Sequence, residues 1–344
     1  MSPTARRRLV RVSLLLASTA LSLALLEAAV RALRIDDATL ARALYYQCAD
    51  LAVHVATPTD FLHYRLRPNS SFVPDVGGAR YTVHIGAHGA RWPEHPLAKA
   101  PGTLRVLCVG GSTTYGANVN DAQTMPAQLE AALSQQLHRP TEVWNYGTSG
   151  YTLAQAAWLA RERGEALHAD AIVVQMYNRG RRPYLLPPRG EALHVTASFA
   201  ADPRLWTENF PAALSAPFSW SEARHQRALR WSALYRVLAG MRRLRANKDT
   251  SAPGDALSRD EASRLLAWAN AHGVAVLFVA IPAMGGYVTP ATVAEGLPAT
   301  QLLDLHQEGR EADFYLVHPP ATYLRDFAAQ IATRLVTLLP ERAQ

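Results

Sequence analysis

The chain has 344 residues, 49% of them hydrophobic and 18% charged, with a net charge of +7 and two cysteines. That is enough apolar material for a full core, so the chain is not intrinsically disordered. Two cysteines cannot build a disulfide scaffold or a four-cysteine zinc site. A +7 excess over this length is also far from the one-sided basic face of a dedicated nucleic-acid binder.

The N-terminus opens on Arg6, Arg7, Arg8 and Arg11, followed by an uncharged apolar run from Val12 to Leu26. As a helix this run is about 22 Å long, and continuing it to Val30 gives about 28 Å, close to a bilayer's hydrocarbon thickness. It carries no polar stripe, which argues against a helix buried in a soluble core. Glu27 precedes Arg31 by four residues, so the two are expected to pair near the outer interface. No evident A-x-A site follows, which favours an uncleaved signal-anchor over a cleaved signal peptide. In either case the arginines stay cytoplasmic and everything beyond about residue 35 is exported. The expected placement is a single-pass inner-membrane protein, in contact with the lipid bilayer through this helix, with a periplasmic domain.

Residues 35–56 read as a helical neck, and 57–103, rich in Pro, Gly, His and Tyr, as an irregular apron with short strands, Arg80–Ile85 among them. From 104 the pattern becomes strand, loop, helix, repeated. Strands are expected at Leu104–Val109, Glu142–Asn145, Ala171–Met176 and Val274–Ile281. Helices are expected at Ala127–Leu137, Leu153–Leu167, about 221–247, 257–272 and Ala321–Leu339. The loop Asp249–Gly254 separates two of them, and residues 180–256 read as an insertion. Cys108 falls inside the first apolar strand and is expected to be a buried free thiol. This alternation implies a parallel sheet covered on both faces, with sites beyond the carboxyl ends of its strands.

Four segments lie at such ends. The first is Gly110-Gly111-Ser112-Thr113-Thr114-Tyr115-Gly116. A phosphate-binding loop fails here because Ala117 stands where a lysine must neutralise phosphate. The dinucleotide pattern G-x-G-x-x-G is absent, and the nucleophile-elbow pattern G-x-S-x-G does not fit. What remains is a serine just past a central strand, suited to nucleophilic attack, or else a Gly-Ser-Thr turn capping the next helix. The second segment, Asn145-Tyr146-Gly147, offers an amide that no side chain obstructs. The third, Met176-Tyr177-Asn178, offers a side-chain amide, or an ordinary turn asparagine. The fourth places His318 just before the closing helix, where it can act as a general base.

Taken in order, Gly110-Gly111-Ser112 with Gly116, Asn145-Tyr146-Gly147, Asn178 and His318 resemble the four blocks of the SGNH (GDSL-like) hydrolase superfamily. The stretches Leu66-Arg67-Pro68-Asn69 and Ile85-Gly86-Ala87-His88-Gly89-Ala90-Arg91 resemble those preceding the first block in bacterial membrane-anchored members. The resemblance implies a flavodoxin-like three-layer α/β/α sandwich and ester hydrolysis or acyl transfer. By it, Ser112 is the nucleophile and His318 the base. The amides of Ser112 and Gly147 and the Asn178 side chain form the oxyanion hole. Two positions depart from the pattern: Gly-Gly-Ser replaces Gly-Asp-Ser, and Tyr315 stands where the family has an aspartate three residues before the histidine. Asp313 or a backbone carbonyl is left to orient the imidazole.

Segment 221–248 is rich in arginine, with Leu234, Val237, Leu238, Met241 and Leu244 at helical spacing. It reads either as a surface for anionic headgroups or glycan, or as a helix packing its apolar side on the protein. Arg179, Arg181 and Arg182 follow Asn178 and are expected to meet an anionic substrate group. The sequence therefore points to an extracytoplasmic serine esterase acting on acyl or acetyl esters, with envelope polysaccharide or a small acylated molecule as substrate. The alternatives are an acyltransferase of the same fold and a catalytically silent envelope-binding protein. No metal, organic cofactor or nucleic acid enters this reading.

Overall fold

The computed structural model describes residues 2–44, 47–48, 52–57, 61–76, 79–176, 185–186, 218–245, 251–281, 294–305 and 318–340. These divide into two compact units, one within 1–46 and 192–248, the other within 47–191 and 249–344.

The second unit is built on five parallel strands: β1 (Leu104–Val109), β2 (Thr141–Asn145), β3 (Ala171–Met176), β4 (Ala275–Ala280) and β5 (Leu302–Asp304). Their order is 2-1-3-4-5, the doubly wound order whose switch point lies between β1 and β3. Every residue of β1, β3 and β4 is buried, as expected of strands covered on both faces. The pleat sends alternate side chains to opposite layers. Leu107, Val109, Ile172, Val174, Val276 and Phe278 face one core, which α5 (Leu153–Leu167) and α8 (Ser251–His272) cover. Leu104, Val106, Cys108, Val173, Leu277 and Val279 face the other, covered by α4 (Met125–Leu137) and α9 (Ala321–Val336). The chain thus forms the three-layer α/β/α arrangement. Cys108 is a buried free thiol, and burial pushes its ionisation well above the ordinary range.

Antiparallel pairs precede the sheet: His54–Thr57 with His63–Leu66, and Ser70–Phe72 with Val83–Ile85. Arg91 then bridges to Asn145 and so ties this segment to the edge strand β2. Three expectations change here. The neck helix ends at Leu44, and strands follow at Gln47–Cys48 and His54–Thr57. The stretch Arg80–Ile85 divides between Ala79–Arg80 and Val83–Ile85. The expected loop at Asp249–Gly254 is already helical from Ser251, because Pro253 sits in the first turn, where its missing N–H costs no hydrogen bond.

The first unit contains α1 (Pro3–Leu33), α2 (Ile35–Leu44), α6 (Glu222–Trp231) and α7 (Ala233–Arg245). Helix α1 is long and apolar enough to cross a membrane. The expected single helix over 221–247 is broken at Ser232, whose backbone is extended and whose hydroxyl accepts from Tyr235 N at 3.1 Å, an N-cap. Glu27 completes the break from outside. Its carboxylate accepts from the backbone amides of Ala233 (2.8 Å) and Leu234 (3.0 Å) and from the Ser232 hydroxyl (2.8 Å). It also pairs with Arg31 at 2.7 Å, as the spacing predicted. Glu27 therefore supplies the negative charge that a helix N-terminus favours.

The apolar side of α7 packs internally, with Val30, Ala233 and Val237 in one cluster, while Arg224, Arg227, Arg230, Arg242 and Arg245 are exposed. Arg236 is the exception. It is buried against Asp36 with N···O distances of 2.7 and 2.9 Å. Periodicity alone could not separate it from its solvated neighbours.

Candidate active site

The register of the sheet assembles the site. β1 ends at Val109 opposite Val174, so Gln175 and Met176 of β3 extend past it. Gln175 therefore faces the loop that leaves β1. Its Oε1 accepts from Gly111 N and Thr114 N, both at 3.1 Å, and from Thr114 Oγ1 at 2.8 Å. These bonds pin the start of the short helix α3 (Ser112–Tyr115), whose first residue is Ser112. Gly116 ends it in the left-handed conformation, with φ of +88° and its amide returned to Ser112 O. A residue at the start of a helix has no intrahelical acceptor for its amide, so the Ser112 N–H is available to a ligand.

On the other flank, Tyr146 N donates to Cys108 O and Thr148 N to Gly110 O, both at 2.9 Å. This carries Gly147 directly against α3. A β-carbon at position 147 would stand 2.3 Å from Tyr115 N and 2.5 Å from Thr114 C, so only glycine fits. The Gly147 amide donates to Asn145 Oδ1 at 3.0 Å. It is thus fixed in direction and engaged, and an oxyanion bound there must share or replace that bond. The Asn145 Nδ2 is buried with no hydrogen-bond partner among the described residues.

His318 comes from the approach to α9, immediately before Pro319 and Pro320. Its Nε2 lies 2.8 Å from Ser112 Oγ, and its Nδ1 lies 3.5 Å from Asn118 Nδ2. No carboxylate meets Nδ1 among the described residues. Burial of the ring lowers its pKa, because it penalises the imidazolium. The neutral ring is the form that takes a proton from serine. Activity should therefore rise with pH through a midpoint below the ordinary imidazole value of about 6.5 and stay level above it. A kcat/KM profile on a neutral ester checks this. A midpoint above that value would contradict it.

The structure brings together Ser112, Gly147 and His318 from three separate expectations. Asn178, Arg179, Arg181, Arg182 and Asp313 lie outside the described residues. Sequence reasoning missed Gln175, Asn118 and Arg91 as builders of the site. A glutamine in the otherwise apolar strand Ala171–Met176 was the available signal for the first, since a buried amide there needs partners. Gly147→Ala should lower kcat by about 10²-fold or more, since it displaces an oxyanion donor. Ester kinetics, with a melting curve to follow the packing clash, check this. A fully active G147A would remove Gly147 from the site.

A serine hydroxyl within hydrogen-bond reach of a histidine, at the carboxyl edge of a doubly wound sheet, is an arrangement chemically suited to nucleophilic attack with general-base assistance. No family model and no curated protein matches the chain. Among solved structures it is similar to a protein from Desulfitobacterium hafniense DCB-2 described as lipolytic and of the G-D-S-L family. The identity is 12%, covering 67% of this chain and 98% of that one, with a TM-score of 0.33. It is also similar to a mutant of the esterase AlinE4 (13% identity, 70% and 100% covered, TM-score 0.31). A third is the lipase Lip_vut3 from a goat rumen metagenome (14% identity, 70% and 100% covered, TM-score 0.29). At scores this low the likeness decides neither activity nor substrate.

Proposed function

We propose that the chain is a membrane-anchored serine ester hydrolase of the SGNH type. The observation that carries this reading is the 2.8 Å approach of Ser112 Oγ to His318 Nε2. The Ser112 hydroxyl passes its proton to Nε2 while Oγ bonds to the ester carbonyl carbon. The carbonyl electron pair moves onto oxygen, where the amides of Ser112 and Gly147 receive it. Collapse of this intermediate expels the alcohol, which leaves with the proton held on Nε2, and an acyl-serine remains. Water then repeats the sequence: Nε2 takes its proton, its oxygen bonds to the acyl carbon, and Ser112 regains its hydrogen as the acid departs. Transfer to a sugar hydroxyl differs only in the second acceptor.

Acyl or acetyl esters on envelope polysaccharide are the substrates we assign, on the strength of an exported domain behind an apolar anchor. Helix α1, with arginines at its start, supports inner-membrane anchoring with the second unit outside the cytoplasm. The test is fluorophosphonate labelling of carbonate-washed membranes from cells expressing the full chain. A labelled band of the full chain's mass in the membrane fraction supports both parts. Folded chain in that fraction that resists labelling would favour a silent binding protein.

A further inference from the structure

Among the described residues no carboxylate faces the second ring nitrogen of His318. A histidine acting as base must carry its proton on Nδ1 so that Nε2 presents a lone pair to the serine, and something must hold that proton. Among the described residues the one facing Nδ1 is Asn118, whose Nδ2 stands 3.5 Å from it. Its position is built into the fold. Asn118 sits in the left-handed region at φ +69°, where asparagine is among the few tolerated side chains. The carbonyls on either side, Gly116 O and Val119 O, are held by the buried Arg91 guanidinium at 2.7 and 2.8 Å. The loop therefore presents Asn118 to the ring in one fixed way.

An amide has two ends of nearly equal shape, related by a half-turn of the terminal torsion. With Nδ2 toward the ring, Nδ1 must accept, the proton sits on Nε2, and Ser112 faces a donor that cannot take its hydrogen. With Oδ1 toward the ring, Nδ1–H donates to it and Nε2 is free to accept from Ser112. Only the second arrangement is a working base. We propose that Asn118 is the positioning residue for His318, its side-chain oxygen accepting the Nδ1–H in place of a carboxylate. This rests on the Ser112–His318 reading above and extends it.

A neutral acceptor has a consequence that a carboxylate would not. It fixes the tautomer without strongly stabilising the imidazolium. The two described side chains within hydrogen-bond distance of the ring, Ser112 and Asn118, are both uncharged. Behind the loop, Asp121 is paired with Arg91 at 2.7 Å and with His84 at 2.6 Å.

The experiment uses the full chain in detergent micelles, with p-nitrophenyl acetate hydrolysis and fluorophosphonate labelling as readouts. N118A is expected to lower kcat by about 10²-fold with KM little changed, as misoriented general bases do. N118D, nearly isosteric and tolerant of the left-handed backbone, is expected to keep labelling. It should also move the acid limb of the pH profile upward by about one unit or more, since a carboxylate beside an imidazolium stabilises it. A merely structural asparagine would not produce that shift. An N118A enzyme within threefold of wild type, or an N118D profile that does not move, overturns the proposal. If N118A does not fold, the N118D profile decides alone. S112A and H318A separate the two levels. If both are inactive while N118A is normal, only the role of Asn118 falls. If S112A still labels or H318A retains full activity, the serine–histidine reading falls with it.

Discussion

Ser112→Ala should reduce ester hydrolysis by about 10⁴- to 10⁶-fold in kcat and abolish fluorophosphonate labelling, while the protein melts within a few degrees of wild type. The size follows from the role. Among the described residues no other nucleophile is hydrogen-bonded to the base, so without Oγ the acyl-enzyme path closes and only oxyanion binding of the substrate remains. Ser112 is half-buried and its hydroxyl fills no core space, which is why stability should survive. His318→Ala should cost nearly as much, and the double variant little more than either single one. A nucleophile and its base act as one unit, so their losses do not add. Steady-state kinetics on p-nitrophenyl acetate measure all three. An S112A enzyme keeping a tenth of wild-type activity would place the chemistry elsewhere.

Arg91→Ala should be the most damaging single truncation in the second unit outside the reacting groups. Arg91 is fully buried and spends all five N–H donors. Nε donates to Asp121 at 2.7 Å, Nη1 to Tyr115 O and Gly116 O at 2.7 Å, and Nη2 to Thr82 O at 2.9 Å and Val119 O at 2.8 Å. Removing it takes the guanidinium from a buried carboxylate, which is left with His84 alone, and from four carbonyls. Breaking a buried ion pair of this kind costs about 3–5 kcal/mol, a large share of a total of about 5–15 kcal/mol. For a unit of this size the melting temperature should fall by roughly 10 °C. Activity should fall too, because three of the carbonyls released, at Tyr115, Gly116 and Val119, belong to the segment that follows Ser112. Arg91→Lys should rescue little, since an ammonium is a point charge with three donors and cannot replace a planar fork with five. Thermal melting of the full chain in detergent is the check. If both variants melt within 2 °C of wild type, the clamp does not stabilise the fold.

Arg91 also marks the limit of what sequence could show. The segment Ile85–Arg91 was legible as resembling a family stretch, yet nothing in it says that the guanidinium closes over residues 115–119. Those contacts span some 25 residues and arise only once the apron is bridged to β2. Asn118 was hidden for the same reason. It lies six residues past the serine, in a turn that local spacing cannot aim at a histidine 200 residues away. The break at Ser232 escaped because the Ser232 cap is completed by Glu27, which belongs to a distant helix.

The sequence by itself determined the fold class and placed Ser112 and His318 where sites form. Fully buried parallel strands read as near-continuous apolar runs: Ala275–Ala280 throughout, Leu104–Val109 but for Arg105, and Ala171–Met176 but for Gln175. Glycines and a serine just after such a run, and a histidine before the last helix, mark strand ends, where sites form. The uncharged apolar run after four arginines pointed to an anchor, and α1 is long and apolar enough to cross a membrane. The tertiary structure decided what surrounds Ser112 and His318: Gln175 pinning α3, Gly147 pressed against it, Arg91 clamping the loop, and an asparagine facing Nδ1. The physical reason is range. Burial and periodicity are written in neighbouring residues, whereas hydrogen bonds to a buried donor or acceptor are satisfied by whatever the fold brings within about 3 Å.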